Sequence, residues 1–81
     1  MDTRKIKLIW DFRGPAAYSV ARHHEQHLKE YIAATEGLTL AITGHSDLSS
    51  MHSLAFMVVE ESEMPAVRDA LRPHRGEIYE N

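Results

Sequence analysis

The segment His23-His24-Glu25-Gln26-His27 gathers three of the chain's six histidines around one carboxylate. Imidazoles four residues apart on a helix leave it on the same side, and a neutral pair of this kind can chelate Zn2+, Cu2+, Ni2+ or Fe2+. His23 and His27 have that spacing. With Val20 as zero on the helical wheel, His24 falls at about 40°, His27 at about 340° and His23 at about 300°. One expectation is therefore a divalent transition metal held by His23 and His27, with His24, His52 or His74 assisting. The match to the zinc-protease pattern H-E-x-x-H is superficial. His24 stands where that chemistry needs a glutamate base, and counting from His24 leaves His27 one residue short. The E-x-x-H pattern of di-iron bundles is absent. The plainer alternative makes His24 a buried, hydrogen-bonded core histidine and leaves His23 and His27 at the wet margin.

A second group is cationic. Arg13 precedes Gly14-Pro15 at a helix start, where free N–H groups and the positive end of the helix dipole attract anions. Arg72, His74 and Arg75 follow a second helix, and with Arg13 and His52 they form a candidate set for a small carboxylate or phosphate. Against this, Arg13-Gly14-Pro15 lacks the several glycines of a phosphate loop. Pairing of Arg13, Arg72 or Arg75 with Asp11 or Glu77 accounts for the same charges without a ligand. The parts also suit proton transfer, with His24 or His52 as base and Asp11 or Glu77 orienting an imidazole. Ser46, Ser49, Ser50 and Ser53 lie near His45 and His52, but serines in polar loops commonly serve turn chemistry. No nucleophile–base–acid set is specified, and no reaction follows from these residues.

The elements that must position these side chains are readable from periodicity. Lys5 to Phe12 alternates, with Ile6, Leu8, Trp10 and Phe12 on one face, which is a strand. A helix over Pro15 to Thr35 carries the stripe Ala17, Val20, Ala21, Leu28, Tyr31 and Ile32, with Arg22, Glu25 and Lys29 opposite, and stops at Gly37. Leu38 to Thr43 alternates again. Gly44 to Ser50 reads as a polar connection, and His52 to Glu60 as the third strand of an antiparallel hairpin. Ser62 is the expected N-cap of a helix with the stripe Met64, Val67 and Leu71, ended by Pro73. Gly76 to Glu80 is a short last strand.

The order strand–helix–strand–strand–helix–strand resembles the ferredoxin-like superfamily, including the small domains that pair into dimeric α+β barrels. The resemblance spans nearly the whole chain but lies in element order alone; no catalytic or binding motif of a characterised family maps onto it, and fold does not dictate function. It implies a four-stranded antiparallel sheet with both helices on one face and the first and third strands central. Ile6, Leu8, Trp10, Phe12, Leu40, Leu54, Phe56 and Val58 are then expected to face the helices. Ile9, Ala41, Ala55, Met57 and Val59 are expected on the other side, among Lys5, Lys7, Thr39 and Thr43. Such a face is apolar enough to suggest a homodimer burying it. The topology also gathers Asp11, Arg13, His45, His52, Arg72, His74, Arg75 and Glu77 at one end of the sheet. By its parity with Leu54 and Phe56, His52 is expected to point toward the helices, near His24.

Composition sets the outer limits. Eighty-one residues with 43% hydrophobic and 26% charged side chains make one globular α+β domain. With no cysteine, disulfides, thiolate zinc sites, iron–sulfur ligation and thiol catalysis are excluded. A net charge of −3 and the lack of a basic stripe argue against a nucleic-acid partner. No apolar run approaches the roughly 20 residues of a membrane span, and no signal segment is recognised, so the expected setting is the cytoplasm. Taken together, these features lead us to expect a small domain, whether or not an enzyme, that binds a metal or small ligand at a histidine-rich site, or a dimeric module recognising a small anion or a protein partner.

Overall fold

A computed structural model describes residues 4–40 and 42–80. Strand β1 (Lys5–Arg13) is followed by helix α1 (Ala17–Ala34), strands β2 (Ile42–Ser49) and β3 (His52–Glu60), helix α2 (Met64–Leu71) and strand β4 (Arg75–Tyr79). The sheet is antiparallel throughout with the order β2-β3-β1-β4. This is the α+β arrangement expected from element order, with β1 and β3 central.

Both helices pack on one face. Leu28 of α1 and Val67 of α2 share a buried cluster with Leu8 and Trp10 of β1 and with Ala55, Met57 and Val59 of β3. The alternation of β1 is as expected, but β3 is turned the other way. Its register places Met57 opposite Leu8 and Ala55 opposite Trp10, so the odd-numbered residues face the helices. Ala55 leaves room for the indole beside it. Leu54, Phe56 and Val58 face away, and so does His52. Six consecutive apolar residues carry no alternation, so parity in β3 is set by pairing with β1 and not by pattern.

The helix-free face is not the exposed patch expected. Ile9, Leu54 and Val58 are 1%, 7% and 0% exposed within the single chain. Lys7 places its ammonium 4.3 Å above the Phe56 ring. That ring lies across Gly44 so closely that a Cβ there would collide with it. Such coverage of a strand glycine by a cross-strand aromatic restores apolar contact that glycine cannot supply. The exposed patch from which a homodimer was inferred is therefore missing from this face. Ala41, assigned to it from the sequence, lies outside the described residues.

Two other elements depart from the sequence reading. Leu38 to Leu40 precedes β2 as coil, and the polar run Ile42–Ser49 forms the strand itself, ending in a tight turn at Ser50 and Met51. An edge strand with one solvent-facing side tolerates such residues. Helix α2 is entered by a 3₁₀ turn over Glu61–Glu63, where the Glu60 N–H donates to the Glu63 carboxylate at 3.4 Å in a capping box. Glu60 caps this turn, and the N-cap position of α2 itself falls on Glu63, not Ser62. Arg72, in the left-handed conformation at φ 52°, terminates α2 before Pro73.

Helix α1 buries Ala17, Ala21 and Leu28, with Tyr31 and Ile32 partly covered. Val20 is 44% exposed and does not belong to the stripe. The centre of the buried arc lies at about 70° on the same wheel, which leaves Val20 at the edge and His24 well inside.

Candidate functional site

Three strands deliver polar side chains to one end of the helix-free face. Asp11 and Arg13 come from the end of β1, His52 from the start of β3 and Arg75 from the start of β4. Arg13 and His52 are cross-strand partners, as are Ile9 and Arg75. Strand parity alone puts Asp11 between them.

Asp11 organises the group. Its Oδ2 accepts from Arg75 Nε at 2.9 Å, and its Oδ1 accepts from Arg75 Nη2 at 3.2 Å and from His52 Nε2 at 2.9 Å. The carboxylate side chain is only 15% exposed. The Arg75 hydrogen bonds hold its pKa far below the ordinary carboxylate value; burial opposes this, and His52 reinforces it. Asp11 is therefore an ionised acceptor, and an ionised carboxylate has no proton to give. Nε2 of His52 must then carry the hydrogen, and in the neutral ring Nδ1 keeps its lone pair. The Asp11 backbone is used as well: its N–H donates to His74 Nδ1 at 2.8 Å, while the His74 N–H donates to the Ile9 carbonyl at 2.9 Å. His74 thereby extends the β1·β4 ladder beyond its last residue pair, with its own ring proton placed on Nε2.

Charge on this face is nearly balanced by register. Lys5 stands opposite Glu60, Lys7 opposite Glu77, and Arg75 is bonded to Asp11 with Glu77 at 3.7 Å. Arg13 is the exception among the described residues of this face, because its cross-strand partner is His52 and no carboxylate is bonded to it. Gly14 beside it donates its N–H to the Met51 carbonyl at 2.8 Å, which ties this end of β1 to the β2–β3 turn. Leu48 and Met51, 54% and 51% exposed, belong to that hairpin end.

Of the residues singled out for a small ligand, His52, His74 and Arg75 are bonded to Asp11, and Arg13 stands across from His52. Arg72 is not among them, being the exposed cap of α2. Of the histidines singled out for a metal, His23 and His27 have ring centroids 4.4 Å apart. His24 turns inward, its ring 4.9 Å from Trp10 and 5.4 Å from Phe12. It lies on the helix side of the sheet and His52 on the other, so one pocket does not hold both. The plainer alternative gave His24 a hydrogen bond, yet its buried Nε2 has no partner among the described residues. Burial lowers its pKa, assisted by the nearby rings of His27, His74 and His23. Among the described residues no three histidine or acidic side chains are disposed to hold a metal.

One polar centre escaped the sequence reading. Glu25, assigned to the face of α1 opposite the stripe, is only 13% exposed. Its carboxylate pairs with His45 Nδ1 at 2.7 Å and accepts from the Thr43 hydroxyl at 3.0 Å. Burial raises its pKa, but His45, Thr43 and Lys29 outweigh that and the net shift is downward. Its wheel position, at about 140°, borders the buried arc and was the available signal.

Comparison with protein-family models, with curated proteins and with solved structures finds no match for this chain. The geometry carries the functional reading by itself. Among the described residues no helix is long and apolar enough to cross a membrane.

Proposed function

We propose that the domain binds a small oxyanion, a carboxylate or phosphate, on the helix-free face of its sheet, between Arg13 and His52. The observation that supports this reading is the pairing itself. Asp11 fixes the His52 ring through Nε2 and leaves Nδ1 free of it, and the residue directly across from His52 is an arginine with no acid bonded to it among the described residues. Arginine presents a planar fork suited to a carboxylate or phosphate. In its protonated form the His52 ring completes the site as a second donor through Nδ1. Arg75 is not a ligand group in this reading. It keeps Asp11 ionised and thereby keeps His52 oriented. Leu48 and Met51 at the adjoining turn supply apolar surface for the organic part of a carboxylate.

Titration with acetate, hexanoate and inorganic phosphate, followed by amide and imidazole NMR signals, tests this. Saturable shifts at His52 and Arg13 are expected. Tighter binding of hexanoate than of acetate would assign the organic acid as the ligand class. Arg13→Ala should weaken binding by about tenfold or more, the worth of a charge-assisted hydrogen bond. Shifts that never saturate, or binding unchanged in Arg13→Ala, would refute the assignment.

A further inference from the structure

Helix α1 carries a second arrangement, independent of the oxyanion reading. The rings of His23 and His27 lie 4.4 Å apart between centroids with an interplanar angle of 64°. Both residues are exposed. The helix beneath them runs for 18 residues and is anchored to the sheet by Ala17, Ala21 and Leu28, so the two Cβ positions are held by tertiary packing. Metal–imidazole bonds are about 2.0–2.1 Å long, and rings this close can each bring one nitrogen to a common ion by side-chain rotation alone. No hydrogen bond to either ring is seen among the described residues, so chelation displaces no protein partner. We propose that His23 and His27 form a two-imidazole chelate for a divalent transition metal on the outer side of α1, with water completing the coordination. Two neutral nitrogens without thiolate or carboxylate favour Cu2+ over Ni2+ and Zn2+ by the usual order of affinity, and disfavour Mg2+ and Ca2+, which prefer oxygen ligands. His24 is excluded from this chelate, because its ring is packed against Trp10 and Phe12.

Diamagnetic Zn2+ added to the full chain is the direct probe, read by imidazole NMR and by thermal melting. The expected result is one Zn2+ per chain, with the His23 and His27 ring signals moving together and those of His24, His45, His52 and His74 staying in place. Zn2+ should raise the melting temperature of the wild type by selective binding to the folded state. It should leave His23→Gln and His27→Gln unshifted. Because protons compete for the same nitrogens, the response should fade on acidification. The proposal is overturned if both rings stay unmoved at millimolar Zn2+, if either single variant keeps the full response, or if Zn2+ shifts other histidines instead. Both substitutions are at exposed helical positions, and circular dichroism without metal confirms that the variants are folded.

Discussion

Asp11 and His24 are both kept in one charge state by their surroundings, and acid works against each. Asp11 is held ionised by Arg75 and His52. A carboxylate whose folded pKa is depressed contributes stability that is complete above its unfolded value, 3.8 here, and that is lost as pH falls below it. His24 is held neutral by burial, so its penalty begins where the unfolded ring takes a proton, near 6.5, and grows as pH falls further. Stability should therefore decline in two windows on acidification. Denaturant unfolding as a function of pH checks this. His24→Leu should remove the upper window, raising stability at about pH 5 more than at neutral pH. Asp11→Asn should cost about 1–3 kcal/mol at neutral pH, and the cost should shrink in strong acid. A single loss of stability confined to strong acid, unchanged in His24→Leu, would contradict the assignment of His24. At this scale the sequence was informative where periodicity was clean: the wheel put His24 inside the stripe of α1, and its ring packs there against Trp10 and Phe12. It could not show that Nε2 would lack a partner, because that depends on which groups line the far side of the ring.

Among the elements, β2 and β3 show where local pattern stops being decisive. Gly44-His45-Ser46-Asp47 has the composition of a loop, yet it pairs with β3 as an edge strand. Contacts from outside the segment hold it there: Glu25 reaches Thr43 and His45, Ser53 donates to Asp47 at 2.7 Å, and Phe56 covers Gly44. None of these partners lies within the segment, so none was visible in it. In β3 the unbroken run from Leu54 to Val59 concealed the parity that decides where His52 points. The Gly44–Phe56 contact gives a test at this scale. Gly44→Ala forces its methyl group into the ring and should destabilise the fold by about 1–3 kcal/mol, the usual cost of overpacking. In Phe56→Leu the same Gly44→Ala change should cost much less, because the ring edge is gone. A double-mutant cycle measured by urea unfolding reads the coupling directly. Additive effects would mean that the ring does not rest on the glycine.

At the level of the whole molecule, element order carried most of the information. The βαββαβ order anticipated an antiparallel four-stranded sheet with β1 and β3 central, and it anticipated that one end would collect Asp11, Arg13, His52, His74 and Arg75. It also suggested a single enclosed pocket shared by the imidazoles of α1 and β3. The register of β3 against β1 excludes that, leaving two separate histidine environments on opposite sides of the sheet. Among the described residues of the helix-free face the apolar side chains are covered and the charges matched, apart from Arg13, whose cross-strand partner His52 is itself bonded to Asp11.

That role for His52 depends on one orientation: Nε2 carries a proton donated to the ionised Asp11, and Nδ1 faces away from Asp11. Long-range 1H–15N correlation spectra of the imidazole rings report which nitrogen bears the proton. The prediction is a single Nε2–H tautomer for neutral His52, relaxing toward a tautomer mixture in Asp11→Ala. A mixed population in the wild type, or a proton on Nδ1, would contradict the account.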